Sequence, residues 1–143
     1  MYENARRKAR AVAGSGERVL GVDTDVLIDG RLLGKADGPG EARAHLERLS
    51  GRTHVVLSGV CLLERDTERG GLAETQVTFR TLSPELIEWY LGTGEWAERA
   101  GAYAIQGHGA ALVERIDGDY WNVVGLPVPL LLELAPELVV SGA

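Results

Sequence analysis

The sequence predicts a mixed α/β fold, α+β-like in its patterning: a largely antiparallel twisted sheet with flanking helices. Three observations carry this. Apolar runs meet Asp-Gly pairs at Asp29-Gly30 and Asp117-Gly118, the strongest two-residue hairpin signal. Leu72–Leu82 alternates, with Thr75, Val77 and Phe79 on one face and Glu74, Gln76, Thr78 and Arg80 on the other, as a half-solvated antiparallel strand does. Strands and helices do not alternate regularly, which argues against a βαβ series.

In order, Glu3–Ala13 reads as a helix with Ala5, Ala9, Val12 and Ala13 on one face, ended by Gly14-Ser15-Gly16. Val19, Leu20 and Val22 form a short apolar strand that breaks at Asp23-Thr24-Asp25. Val26-Leu27-Ile28 resumes it, turns at Asp29-Gly30 and returns through Arg31-Leu32-Leu33 to Gly34-Lys35. Glu41–Leu49 is a helix with its acid early and Arg48 late, as the helix dipole favours. Gly51 stops it. His54–Leu63 is a long strand in which Gly59 marks a bulge or a close backbone approach. Thr67–Gly71 reads as a polar turn. Ser83-Pro84-Glu85 is a cap, proline and acid that start a helix to about Leu91. Thr93 is placed to cap a short second helix to Ala100. Ala110–Ile116 and Tyr120–Val124 read as a second hairpin across Asp117-Gly118. A last apolar helix, Leu130–Leu134, follows Gly125-Leu126-Pro127.

The chain has 143 residues, which predicts one domain over 1–143. The formal net charge is −6, with no basic stripe beyond Arg6, Arg7, Lys8 and Arg10. That argues against duplex nucleic acid as partner, since phosphate neutralisation would dominate such binding. A nucleotide needs only a few local cations and stays open. The single cysteine, Cys61, lies in an apolar run. It excludes an intrachain disulfide and a cysteine-based zinc site. No apolar stretch approaches membrane-spanning length, and the start has no signal-peptide character. No membrane partner and a cytoplasmic location are therefore expected.

Asp23 lies where the first apolar run stops. It serves either as metal ligand or general base, or as a hairpin cap that bonds its own backbone; spacing alone leaves both readings open. Lys35, after Gly34, is a phosphate-facing cation if Asp23 is functional and a solvated surface lysine otherwise. Gln106 sits between glycines in a run from Gly101 to Gly109. Its amide offers donor and acceptor to a base edge, and as a bare turn it would be solvated. His45, His54 and His108 have no metal-ligand spacing and read as structural or surface. No G-x-S-x-G or G-x-x-x-x-G-K-[ST] motif occurs.

Taken together these stretches resemble the Maf family, the septum-formation-inhibitor-like nucleoside triphosphate pyrophosphatases. The resemblance rests on Asn4-Ala-Arg-Arg-Lys-Ala-Arg-Ala-Val-Ala, Val19-Leu-Gly-Val-Asp-Thr, Leu33-Gly-Lys and Leu49-Ser-Gly-Arg-Thr-His54. It rests also on Tyr90-Leu-Gly-Thr-Gly-Glu-Trp-Ala-Glu-Arg-Ala-Gly-Ala-Tyr-Ala-Ile-Gln-Gly107, the most diagnostic run, and on Tyr120-Trp-Asn-Val-Val-Gly-Leu-Pro127. It implies a Maf/ITPase-like fold and cleavage of nucleoside triphosphates to monophosphate and pyrophosphate. A divalent cation, typically magnesium, is implied as cofactor, with metal ligands that the residues do not identify, and a homodimer is the default assembly. By position, Asp23 falls on the family's proton acceptor and Lys8 and Lys35 on its phosphate-facing lysines. Thr24 and Gln106 fall on positions that set base specificity in the branch preferring dTTP and UTP. An uncharged amide and hydroxyl suit a neutral pyrimidine edge.

The pattern departs from the family in three places. The family's Ser-Pro-Arg-Arg segment and the following strand with its catalytic glutamate have no counterpart, so an N-terminally truncated domain is expected. Ala36 replaces a proline, and Asp25 stands where an apolar residue is typical. Two lost charge-assisted contacts would cost on the order of a hundred- to ten-thousand-fold. The alternatives are therefore a catalytically impaired nucleotide-binding remnant and a dehalogenase-type phosphatase. Asp23-Thr24-Asp25-Val26-Leu27 also resembles the first motif of the latter family.

Overall fold

The computed structural model of the chain describes residues 1–13 and 18–140. The glycine-rich stop at residues 14–16 lies outside the described residues. The elements run α1 (Tyr2–Val12), β1 (Arg18–Ile28), β2 (Arg31–Leu32), α2 (Pro39–Leu49), β3 (Thr53–Glu64), β4 (Thr67–Phe79), α3 (Pro84–Gly92), β5 (Val113–Asp117), α4 (Tyr120–Val124), α5 (Val128–Leu134) and α6 (Glu137–Val140). A one-turn 3₁₀ helix, His108–Leu112, precedes β5. The strands form one sheet in the order β2-β1-β3-β4-β5. This is the mixed α/β architecture that the patterning predicts. Among the described residues, no helix is long and apolar enough to cross a membrane.

The chain gathers into two compact units, one of Met1–Thr24, Leu57–Glu74 and the chain from Asp119 onward, the other of Asp25–Val56 and Thr75–Gly118. In the first unit α1 lies directly on β1. Ala5 and Ala9 are fully buried and form a small core with Val19 and Cys61. Gly21 makes this approach feasible: a Cβ there would stand 2.0 Å from the Ala5 carbonyl oxygen and 2.8 Å from the Ala9 nitrogen. Gly59 of β3 does the same for the start of the helix, where a Cβ would fall 2.6 Å from the Met1 carbonyl. Of the two readings open for Gly59, a bulge or a close backbone approach, the structure shows the close approach. The far side of α1 is tied to β4. Glu68 accepts from the Tyr2 hydroxyl at 2.7 Å, from Arg6 Nε at 2.9 Å and from Arg10 at 3.2 Å. The Tyr2 hydrogen bond, then Arg6, holds the Glu68 carboxyl down at about 2.

In the second unit the Asp29-Gly30 hairpin forms as expected. Both residues have positive φ, 52° and 73°, as the tight turn between twisted strands requires. The pairing is Leu27 with Leu32 and Ile28 with Arg31. The Arg52 guanidinium clasps Asp29 with both nitrogens, at 2.9 and 2.5 Å. Helix α3 starts where Ser83-Pro84 predicts, with the Ser83 hydroxyl accepting from Leu86 N–H at 3.1 Å. Its core includes His54, Phe79 and Tyr103, whose rings meet edge to face.

Four expectations are corrected. Asp23-Thr24-Asp25 does not break the strand; β1 runs through it without interruption, because its polar side chains find partners instead of forcing a turn. Thr67–Gly71 is the first part of β4 and not a turn; residues 65–66 make the turn, with Arg65 at φ 54°. Gly70 is extended because it lies under the Tyr2 ring, where a Cβ would come within 2.0 Å of Cε1. Thr93–Ala100 is a series of turns, not a helix: the Thr93 hydroxyl donates back to the Tyr90 carbonyl at 2.6 Å while accepting from Glu95 N–H. Tyr120–Val124 is a helix, not a return strand. β5 pairs with β4, Val77 facing Ile116, and Asp119 caps the new helix by accepting from Trp121 N–H at 2.9 Å.

Candidate active site

The first unit assembles a polar cluster on the face of β1 that α1 covers. Residues 19, 21 and 23 share that face by strand alternation. The close helix approach allowed at Gly21 brings Lys8 and Asn4, one helical turn apart, over Asp23. Lys8 Nζ donates to Asp23 Oδ1 at 2.9 Å and to the Val22 carbonyl at 3.3 Å. Asn4 Nδ2 donates to Asp23 Oδ2 at 3.2 Å. Each carboxylate oxygen thus has one nitrogen donor and keeps further lone-pair capacity. The Asp23 side chain is 18% exposed, shielded yet reachable by water. Lys8 is well exposed, so the pair adds little to stability; its effect is to fix the carboxylate's orientation. Arg6 and Arg10, on the same helix, are committed to Glu68.

Thr24 points to the opposite face. Its hydroxyl lies 2.7 Å from that of the fully buried Ser58. Asn4 and Ser58 are the members that sequence reasoning missed. The i, i+4 spacing of Asn4 and Lys8 on one helix face was the available signal for the first. A serine inside the apolar run of β3 was the signal for the second.

The second unit holds Lys35 and Gln106. Lys35 follows Gly34 and forms a bridge with Ala100. Its ammonium stands 3.3 Å from Glu98, both side chains mostly in solvent. Gln106 is exposed and follows two anchored residues. Ile105 is 6% exposed, and Tyr103 is buried with its hydroxyl 2.7 Å from His54 Nε2. On its other side Glu95 gathers the loop: it accepts from His108 N–H at 2.8 Å, Gly109 N–H at 3.2 Å and the Tyr90 hydroxyl at 3.2 Å. The His108 ring also meets it. Burial pushes the Glu95 carboxyl up, but these donors outweigh it and the net shift is down. The loop is thus tied at both ends, and the Gln106 amide is offered outward with no hydrogen bond to another described residue.

Of the histidines read as structural or surface, His45 and His54 are buried and His108 is exposed; Cys61 is core. Burial pushes the His54 imidazole down to about 4. No group of three or more His, Cys, Asp or Glu side chains converges among the described residues. A resident all-protein metal cage therefore does not fit this donor set. A hard cation carried in on a polyphosphate needs only one or two carboxylates, which a residue such as Asp23 can supply.

Fold and cluster define a mixed α/β chain that holds an oriented carboxylate against a lysine in one unit and an amide on a tethered loop in the other. The Maf-like protein family matches residues 1–138, and the chain belongs to that family. It is 48% identical over 132 residues to the dTTP/UTP pyrophosphatase of Pyrococcus abyssi, covering 91% of this chain and 71% of the relative. It is 50% identical over 145 residues to the dTTP/UTP pyrophosphatase of Symbiobacterium thermophilum, covering 97% and 75%. It is 48% identical over 124 residues to that of Pyrococcus furiosus, covering 87% and 65%.

Proposed function

We propose that this chain is a nucleoside triphosphate pyrophosphatase that hydrolyses dTTP and UTP to the monophosphate and pyrophosphate. The observation that carries the reading is the Asp23 carboxylate, gripped by Lys8 and Asn4, in a chain about half identical to proteins of that name. Asp23 takes a proton from a water whose oxygen attacks the α-phosphorus. The bond from that phosphorus to the α,β-bridging oxygen breaks, and pyrophosphate leaves with the electron pair. Lys8 fixes the base and faces the phosphates, and Lys35 is assigned a further phosphate contact by the family pattern. Gln106 reads the pyrimidine edge through its exposed amide, and Thr24 supports the same selectivity. The divalent ion, magnesium by expectation, arrives with the nucleotide as a metal–nucleotide substrate. A single domain, a homodimer, a cytoplasmic location and the absence of a nucleic-acid or membrane partner belong to the same reading.

Hydrolysis in ¹⁸O-labelled water tests it. The expected result is label in the monophosphate and unlabelled pyrophosphate. Labelled pyrophosphate would move the attack to the β-phosphorus, and orthophosphate as first product would favour the dehalogenase-type alternative. Binding of a dTTP analogue with no turnover would favour the impaired remnant.

A further inference from the structure

We propose that Asp25 is a positioning residue for Lys35: its carboxylate sets the turn from which that lysine projects. The inference rests on Lys35 being a phosphate contact. β2 is only two residues long, and its ladder ends with Leu33 N–H donating to the Val26 carbonyl at 2.9 Å. The next amide, Gly34 N–H, finds no strand carbonyl. It donates instead to Asp25 Oδ1 at 2.8 Å, which also accepts from Val26 N–H at 2.7 Å. Gly34 has φ 63°, so the chain turns away from the ladder at this residue. Its carbonyl accepts from Gly101 N–H at 2.9 Å. The Gly34 peptides are therefore pinned from both sides, and Lys35 follows immediately, bridged to Ala100. The lysine backbone is fixed while its side chain is about two-thirds exposed and, among the described residues, pairs with Glu98 at 3.3 Å. An ion pair so exposed is weak, so the ammonium can leave it for a phosphate without disturbing the turn. Asp25 thus supplies the acceptor that a longer strand would have supplied, at the one place where the hairpin gives way to the lysine.

The test is a cycle of Asp25→Ala, Asp25→Asn and Lys35→Ala in the full chain, with kinetics on dTTP and hydrogen exchange at the Gly34 amide. An Asn oxygen still accepts from both amides, an Ala does not. Asp25→Ala should lower kcat/KM about tenfold, Asp25→Asn should stay within about threefold of wild type, and Asp25→Ala should add nothing in the Lys35→Ala background. Gly34 exchange should speed up roughly tenfold in Asp25→Ala alone. Additive losses, or unchanged Gly34 protection in Asp25→Ala, would overturn the proposal. A Lys35→Ala variant as active as wild type would overturn the phosphate role of Lys35 itself, and Gly34 exchange would still report whether Asp25 holds the turn.

Discussion

Replacing Gly21 by alanine tests the packing that creates the cluster. The added Cβ would lie 2.0 Å from the Ala5 carbonyl oxygen, and ordinary contact begins near 3.4 Å. The obstacle is helix backbone, not a side-chain end that can swing aside. α1 must therefore retreat from β1 by about 1.4 Å on that contact alone. Overpacking of this kind costs about 1–3 kcal/mol, which lowers Tm by roughly 3–10 °C in a chain of this size. The retreat also opens the Asn4–Asp23 contact, already 3.2 Å, beyond hydrogen-bonding range. Lys8 is long enough to follow; the short Asn4 side chain is not. Loss of that one donor to the carboxylate costs about tenfold in rate. Thermal unfolding and pyrophosphate release together measure both effects. A Gly21→Ala protein with wild-type Tm and wild-type turnover would refute the account of how α1 meets β1.

Three further outcomes are expected. Asn4→Ala should keep the fold and lower kcat about tenfold, since one carboxylate oxygen loses its donor; an unchanged kcat, measured by steady-state kinetics, would remove Asn4 from the site. Lys8→Met should raise KM for dTTP and lower kcat together, because the ammonium serves both base and phosphates; an effect on neither would leave Lys8 as a surface residue. Folding should also depend on pH through His54. Its folded pKa is lowered to about 4 from 6.5, so the unfolded chain binds more protons between these values. The stability that His54 contributes is complete above pH 6.5 and is lost as pH falls toward 4, about 3 kcal/mol in all. Urea unfolding from pH 7 to 4 should show this slope in wild type and a flatter one in His54→Gln.

The parts of the fold legible in the sequence were those with local chemistry. Asp29-Gly30 offered two residues that tolerate positive φ, and Ser83-Pro84 offered a cap and a preset first turn; both elements formed as read. The misreadings arose where a distant partner overruled a local signal. Gly70-Gly71 reads as a turn until Tyr2 is seen to need the space. Asp117-Gly118 reads as a hairpin until β5 is seen to pair with β4. In the candidate site, Asp23 stands out because it ends an apolar run, and Lys8 only through the family resemblance. Asn4 and Ser58 left only weak local signals, a helical spacing and a serine in an apolar run; their importance lies in the approach of α1 to β1 and of β3 to β1, which no single stretch encodes. Asp25 stands in the sequence only as a departure from the family pattern; its two backbone partners explain it.

The most direct test of the account is Asp23→Asn, a change that keeps shape and removes the base. With circular dichroism and Tm confirming an intact fold, wild type should release pyrophosphate from dTTP and UTP. The variant should be slower by about a hundred- to ten-thousand-fold. Equal pyrophosphate release by the two proteins would contradict the assignment of Asp23 as the group that activates water.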